Sequence, residues 1–252
     1  MNLINGIIVN LVVAFVAYKW RILSGRGCII AYVIGVVISF VYINAYIILL
    51  SFLLGQSFLE KIIFSEKKER RNEIQVICNS LFAMFSLGMA IFSKNFKFFL
   101  IYVTLIASSM SDSVASAIGT KYAKKAYSVV FLKEVSKGVS GGVSLLGTIS
   151  GILGSCYIAI VYYVTMMNHH DIYLKHIIYI IIGGVCGMFL DSYIGEIFQK
   201  KYFCETCMRY LDSDYCCGKE IEKVNKKWKL LNNNGVNLCT GAVLFFLLCI
   251  IS

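Results

Sequence analysis

The sequence predicts an all-α fold: a polytopic integral membrane bundle of about eight helical spans, N-terminus outside, with a cysteine-containing cytoplasmic loop before the last span. Three observations predict it. The 252 residues are 58% hydrophobic and only 15% charged, with a mean hydropathy of +0.75. The apolar runs approach the roughly 20 residues a helix needs to cross the hydrocarbon core. They are continuous, whereas the strands of a membrane barrel alternate apolar and polar positions. A single integral membrane domain over 1–252 follows, with the loop at 199–235 inside it.

The spans fall near 3–18, 27–41, 44–60, 74–92, 98–119, 138–166, 174–198 and 236–251. The first has no basic residue before it and is followed by Lys19, Trp20 and Arg21, which reads as an uncleaved span and not a signal peptide. The stretch 27–60 is too long for one helix, and Tyr42-Ile43-Asn44 is the expected turn between two. A single span with a re-entrant segment is the alternative. Proline is absent, so no span is stopped or kinked by that residue.

Basic residues test this map, because Lys and Arg concentrate in cytoplasmic loops. With the N-terminus outside, only Lys94, Lys97 and Lys175 of the 24 Lys and Arg fall on the outer side. A wrong span count would scatter them. The net charge of +10 then describes a basic inner face that meets anionic lipid and attracts phosphorylated substrates. It calls for no nucleic acid.

Asp112 and Asp191 lie inside apolar spans. Each precedes a serine, and each stands nine residues before a lysine, Lys121 and Lys200. That is roughly 13 Å along a helix. A carboxylate inside a bilayer costs several kcal/mol unless paired, solvated or metal-bound, so an intramembrane Asp marks a functional site by default. Two at matched depth predict one shared site. Asn79 sits at similar depth on the fourth span, and Asn233, Asn234 and Asn237 lie where the last span leaves the inner loop. Carboxylate and amide oxygens suit Mg²⁺. Interhelical hydrogen bonding is the plainer role for the asparagines.

The segment Lys133-Glu-Val-Ser-Lys137-Gly-Val-Ser-Gly-Gly142 precedes the sixth span. Glycines let a backbone approach an anion, and a helix N-terminus offers free N–H groups to phosphate. Lys133, Lys137, Gly138, Ser140, Gly141 and Gly142 are the phosphate candidates. The small residues that follow, Ser144, Gly147, Gly151 and Gly154, recur at helical spacing as packing positions do. The 199–235 loop carries Cys204, Cys207, Cys216 and Cys217. Structural disulfides are rare in the cytoplasm, so structural Zn²⁺ and free thiols are the two main readings. His169, His170 and His176 sit at the outer boundary and are assigned no chemistry.

Taken in order, these segments resemble the transmembrane protein 19 family, which includes the plastid phytyl-phosphate kinases. The resemblance rests on Gln75-Val-Ile-Cys-Asn79, Ser111-Asp-Ser-Val-Ala-Ser-Ala-Ile-Gly119, Val135-Ser-Lys-Gly-Val-Ser-Gly-Gly-Val-Ser144, Leu190-Asp-Ser-Tyr-Ile-Gly195 with Gln199, and Leu231-Asn-Asn-Asn-Gly-Val-Asn237. Two positions depart from the family pattern: Ala117 stands for a glutamate and Asn234 for an aspartate. Glu196, one turn beyond Asp191, is a candidate to compensate. The resemblance implies a Mg²⁺-dependent phosphotransferase: a nucleoside triphosphate, CTP by preference, converts an isoprenoid monophosphate held in membrane lipid to the diphosphate. Asp112 and Asp191 would hold the metal, Lys137 and the glycine segment the phosphates, and Asn79, Asn233 and Asn237 the nucleotide or metal. A cytidylyltransferase, a transporter and an inactive member remain the rival readings.

Overall fold

The eight apolar runs become eight helices in the computed structural model, which describes residues 3–64, 70–167, 173–221 and 230–251. They are α1 (Leu3–Lys19), α2 (Gly25–Val41), α3 (Ile43–Ile63), α4 (Glu73–Ser93), α5 (Phe96–Tyr122), α6 (Leu145–Met166), α7 (Leu174–Phe198) and α8 (Asn233–Ile251). The six from α3 to α8 are long and apolar enough to cross a membrane. At 17 residues each, α1 and α2 stand at the short end of the spanning range. The expected turn falls at Tyr42, which closes α2 and opens α3.

Local chemistry sets the helix starts in the absence of proline. Side chains of Ser24, Asn95 and Ser144 accept from backbone N–H groups in the first turns of α2, α5 and α6. Asn72 and Gln75 form a reciprocal capping box on α4. Asn232 accepts from Gly235 N at α8. Each such cap satisfies an amide that the helix itself leaves open.

The most buried of the spanning helices is α5, which touches α3, α4, α6, α7 and α8. Serine and tyrosine hydroxyls tie the bundle together: Ser86 to Phe98 O, Tyr102 to Ala45 O, and Ser111 to Gly151 O. His176 lies 3.3 Å from the Tyr162 hydroxyl and packs on Phe96 and Tyr173. Those contacts agree with a structural role for it.

Short strands add to the helices. A three-stranded antiparallel sheet, order β2-β1-β3, is built from β1 (Ala126–Ser128), β2 (Glu134–Val135) and β3 (Gly142–Val143). Beyond α7, β4 (Tyr202–Cys204) pairs with β5 (Arg209–Leu211), and β6 (Tyr215–Cys216) with β7 (Lys219–Glu220). The sixth span therefore starts at Leu145 and not at 138. The glycine segment before it is a strand and turn, because Gly142 and Val143 pair with Ser128 and Tyr127. The cysteine loop ends at Asn232, since Asn233 and Asn234 already belong to α8.

The connections α1–α2, α3–α4, α5–α6 and α7–α8 meet at one end of the bundle. Leu23 bridges to Arg71 and Gln199 to Leu231, and the Lys121 ammonium donates to Ile63 O. Arg71 donates to Gln56 and forms an ion pair with Glu60 at 2.7 Å. At the opposite end Lys94 caps α4, and Lys97 and Lys175 lie in the first turns of α5 and α7. Of the residues read above, Lys67, Lys68, His169, His170, Lys223, Lys226, Lys227 and Lys229 lie outside the described residues.

Candidate functional site

Glycines decide where the two aspartates meet. On α7, a Cβ at Gly183 would lie 2.4 Å from Thr104 Cγ2, and one at Gly187 would lie 2.0 Å from Ser108 Oγ. Both pairs are offset by 79 positions, and each steps four residues along its helix. One more turn on both helices brings Asp191 opposite Asp112. On its other side α5 meets the glycines of α6: a Cβ at Gly147, Gly151 or Gly154 would come within 3.0–3.1 Å of a backbone carbonyl oxygen of α5. These are the close helix contacts that small residues permit, as the spacing predicted.

Both aspartates line the same two cavities. The larger, about 120 Å³, is bounded by Asp112, Ser116, Thr120, Asp191, Ser192, Asn233 and the turn Gly138-Val-Ser-Gly-Gly142. That is several times the roughly 30 Å³ share of one water. The smaller, about 50 Å³, lies on the α4 and α8 side and is bounded by Asn79, Asp112, Ser113, Asp191, Asn237 and Thr240. Asn237 donates to Asn79 at 2.8 Å, and Thr240 donates to Asp191 Oδ2 at 3.0 Å. Ser113 accepts from Gln56, which connects the aspartate helix to Arg71 and Glu60. The two carboxylates thus form the partition between a polar, glycine-lined chamber and an amide-lined one. A third cavity, apolar and about 100 Å³, is enclosed by α1 to α4 and shares Asn79 with the second.

The glycine turn has two positions that only glycine fits. Gly138 and Gly141 have φ of +81° and +82°, and a Cβ would strike Thr120 and Glu196 respectively. The Ser140 amide donates to the Asp212 carboxylate at 2.8 Å. The backbone therefore does present an N–H to an anion, and that anion is a side chain from the cysteine loop.

Among the predicted residues, the structure gathers Asp112, Asp191, Asn79, Asn233, Asn237, Gly138, Ser140, Gly141 and Gly142 around these two chambers. Lys133, just before β2, and Lys137, in the turn after it, are exposed and line neither. Glu196 does not join the aspartates either: it is buried and paired with Lys201 at 2.7 Å. Sequence reasoning missed Asp212, Thr240, Ser116 and Thr120. Thr240 lies one turn beyond Asn237 on α8, so helical spacing could have found it. Asp212 carries no such signal.

The cysteines form a separate cluster. The Sγ atoms of Cys204, Cys207, Cys216 and Cys217 all lie within 4.8 Å of one another. The Cys207 backbone N–H bonds to the Cys204 thiol and, with side-chain bonds from its neighbours, brings its pKa down to about 6. The Cys216 side chain, followed by Cys204, pushes Cys217 up to about 12.

A family described as integral membrane protein DUF92 matches residues 8–244. This chain belongs to the DUF92 family. The match is consistent with the resemblance carried by the motifs. Among relatives, an uncharacterised membrane protein of Methanocaldococcus jannaschii is 26% identical over 208 residues, covering 80% of this chain and 85% of that protein. Protein PGR of Arabidopsis thaliana is 25% identical over all of this chain and 96% of its own length. Protein VTE6 of the Arabidopsis chloroplast is 34% identical over 101 residues, 37% of this chain and 30% of the relative. No solved structure matches.

Proposed function

We propose that this DUF92 protein is a membrane-embedded phosphotransferase. It transfers the terminal phosphoryl group of a nucleoside triphosphate, CTP by preference, to an isoprenoid monophosphate, prenyl or phytyl, giving the diphosphate. The carrying observation is the aspartate partition: two carboxylates from parallel helices, with a glycine turn on one side and, on the other, an amide-lined chamber that shares Asn79 with an apolar cavity.

Each chamber suits one substrate. The glycine turn, with Ser116, Thr120 and Ser192 around it, offers small polar groups to a polyphosphate. The apolar cavity among α1 to α4 offers an isoprenoid chain a slot, and Asn79 borders both that cavity and the chamber of the carboxylates. In this arrangement an oxygen of the acceptor monophosphate attacks the terminal phosphorus. The bond from that phosphorus to the bridging oxygen breaks, and the nucleoside diphosphate leaves with its electron pair. The acceptor is already anionic, so no general base is required. The donor set of Asp112 and Asp191 with nearby amide oxygens fits Mg²⁺. When bound there, Mg²⁺ would neutralise phosphate charge, the main requirement of this chemistry beyond positioning. Asn79 and Asn237, already bonded to each other, orient the acceptor side. Lys133 and Lys137 flank the turn from outside and fit better as attractors of anionic substrate than as groups touching the reacting phosphate. The basic end is the cytoplasmic face in this reading, by the bias of Lys and Arg.

The test is turnover by the purified protein with Mg²⁺, labelled CTP or ATP, and prenyl monophosphates of several chain lengths. Label is expected in a prenyl diphosphate. Asp112→Asn and Asp191→Asn should each lower the rate by at least ~100-fold, the upper end of what losing a group that merely supports a metal ligand costs. Transfer of the whole CMP unit with release of pyrophosphate would replace this reading by a cytidylyltransferase. No turnover by folded protein would overturn both, and Ala117 and Asn234 would then mark the missing acids.

A further inference from the structure

The two hairpins after α7 are too small to hold themselves in place. Each has strands of two or three residues, and an isolated hairpin is at best marginally stable in water. Yet Asp212, between β5 and β6, reaches the glycine turn 72 residues away and accepts from the Ser140 amide at 2.8 Å. Something must fix the hairpins for that bond to persist.

The cysteines have the geometry to do so. Zn²⁺ binds thiolate sulfur at about 2.3 Å in a tetrahedron, which sets neighbouring sulfurs about 3.8 Å apart. The observed separations are 3.6 Å for Cys207 to Cys216, 3.7 Å for Cys216 to Cys217 and 4.0 Å for Cys204 to Cys217. All are far above the ~2.05 Å of a disulfide. Backbone N–H groups of Thr206 and Cys207 bond to the Cys204 sulfur, and the Arg209 side chain bonds to the sulfurs of Cys207 and Cys216. Such outer bonds orient metal ligands and balance their charge. Met208 and Cys217 both take positive φ, 51° and 52°, a backbone conformation uncommon for non-glycine residues. Each lies in a tight turn that turns cysteine sulfurs inward. The cluster runs from the protein interior to its surface, with Cys204 fully enclosed, Cys207 and Cys216 half-buried and Cys217 exposed.

We propose that Cys204, Cys207, Cys216 and Cys217 bind one structural Zn²⁺, and that this ion holds Asp212 on the glycine turn. The metal crosslinks the β4–β5 turn to the turn of the β6–β7 hairpin. Residues 212–214 are the short link between the two halves, so their path is fixed from both sides. Asp212 then caps Ser140 and shapes the wall of the larger chamber. The proposal stands without the phosphotransferase reading, because neither the ion nor the cap requires turnover.

The experiment uses the full chain purified in detergent. Elemental analysis should find one zinc per chain, and exchange with Co²⁺ should give the visible spectrum of a tetrahedral cobalt–thiolate centre. Hydrogen exchange followed by mass spectrometry then reads the peptide around Ser140. Chelation of the zinc should raise exchange there by at least tenfold, and Asp212→Ala, which removes the acceptor of the Ser140 amide, should do the same while the protein keeps its zinc. Cys217→His, a conservative ligand swap, should retain cobalt with a shifted spectrum, which separates ligand loss from unfolding. Metal-free protein with four alkylatable thiols, or with cysteines in disulfides, would overturn the zinc site. Zinc present, with exchange at Ser140 unmoved by its removal, would overturn the clamp.

Discussion

At Asp191 one carboxylate oxygen accepts from the Thr240 hydroxyl, which is itself buried. The bond fixes which oxygen stays free to face the chambers. Thr240→Val keeps the shape and removes the donor. If Asp191 holds Mg²⁺ as proposed, the substitution is expected to lower turnover about 10- to 100-fold, as lost partners of metal ligands do, with little change in thermal stability. Thr240→Ser should restore most of the rate. An unchanged rate for the valine variant would show that Asp191 needs no orientation from α8. The same scale explains why Glu196 cannot replace a missing acid. Its carboxylate is held against Lys201, with both side chains about one-tenth exposed, and an ion pair so enclosed is costly to separate.

Between helices, the offset of 79 positions joins packing to chemistry. The aspartates meet because α7 lays glycines against Thr104 and Ser108, two turns and one turn before Asp112. Gly187→Leu would place a side chain where Ser108 Oγ leaves 2.0 Å for a Cβ, and overpacking of this kind costs ~1–3 kcal/mol. The variant should melt several degrees lower and lose activity beyond what its folded fraction explains. Full activity in the folded fraction would separate helix spacing from the site. How much of this the sequence reveals follows from the range over which each signal acts. Spans, their polarity and the two acids are local: a run length, a charge bias, a lone carboxylate in an apolar run. The glycine turn is also local in composition, but its conformation depends on pairing with β1, so a helix N-terminus was expected where a strand formed. Asp212 is invisible to such reasoning because its partner is 72 residues away and its surroundings are ordinary for a loop. Lys133 and Lys137 flank β2, which is two residues long and too short to show a period from which their exposure could be read.

For the molecule as a whole, the basic end and the aspartate chambers coincide. Epitope tags inserted after Lys94 and after Lys124 should be reached by antibody from opposite faces of sealed vesicles, with the Lys124 tag on the face rich in Lys and Arg. Reactivity of both from one face would remove a span from the map. The bond between Thr240 and Asp191 also orders events during synthesis. Ribosomes release the chain from its N-terminus, so α7 enters the bilayer before α8 has been made. Asp191 must then wait, 49 residues ahead of its hydroxyl partner, at an insertion cost of up to about 2.5–3.5 kcal/mol for an Asp at mid-helix. In that interval α5 is already present with Asp112 beside it. The nascent protein therefore passes through a stage in which two acids share an unfinished chamber, and the arrival of α8 is the step that closes it.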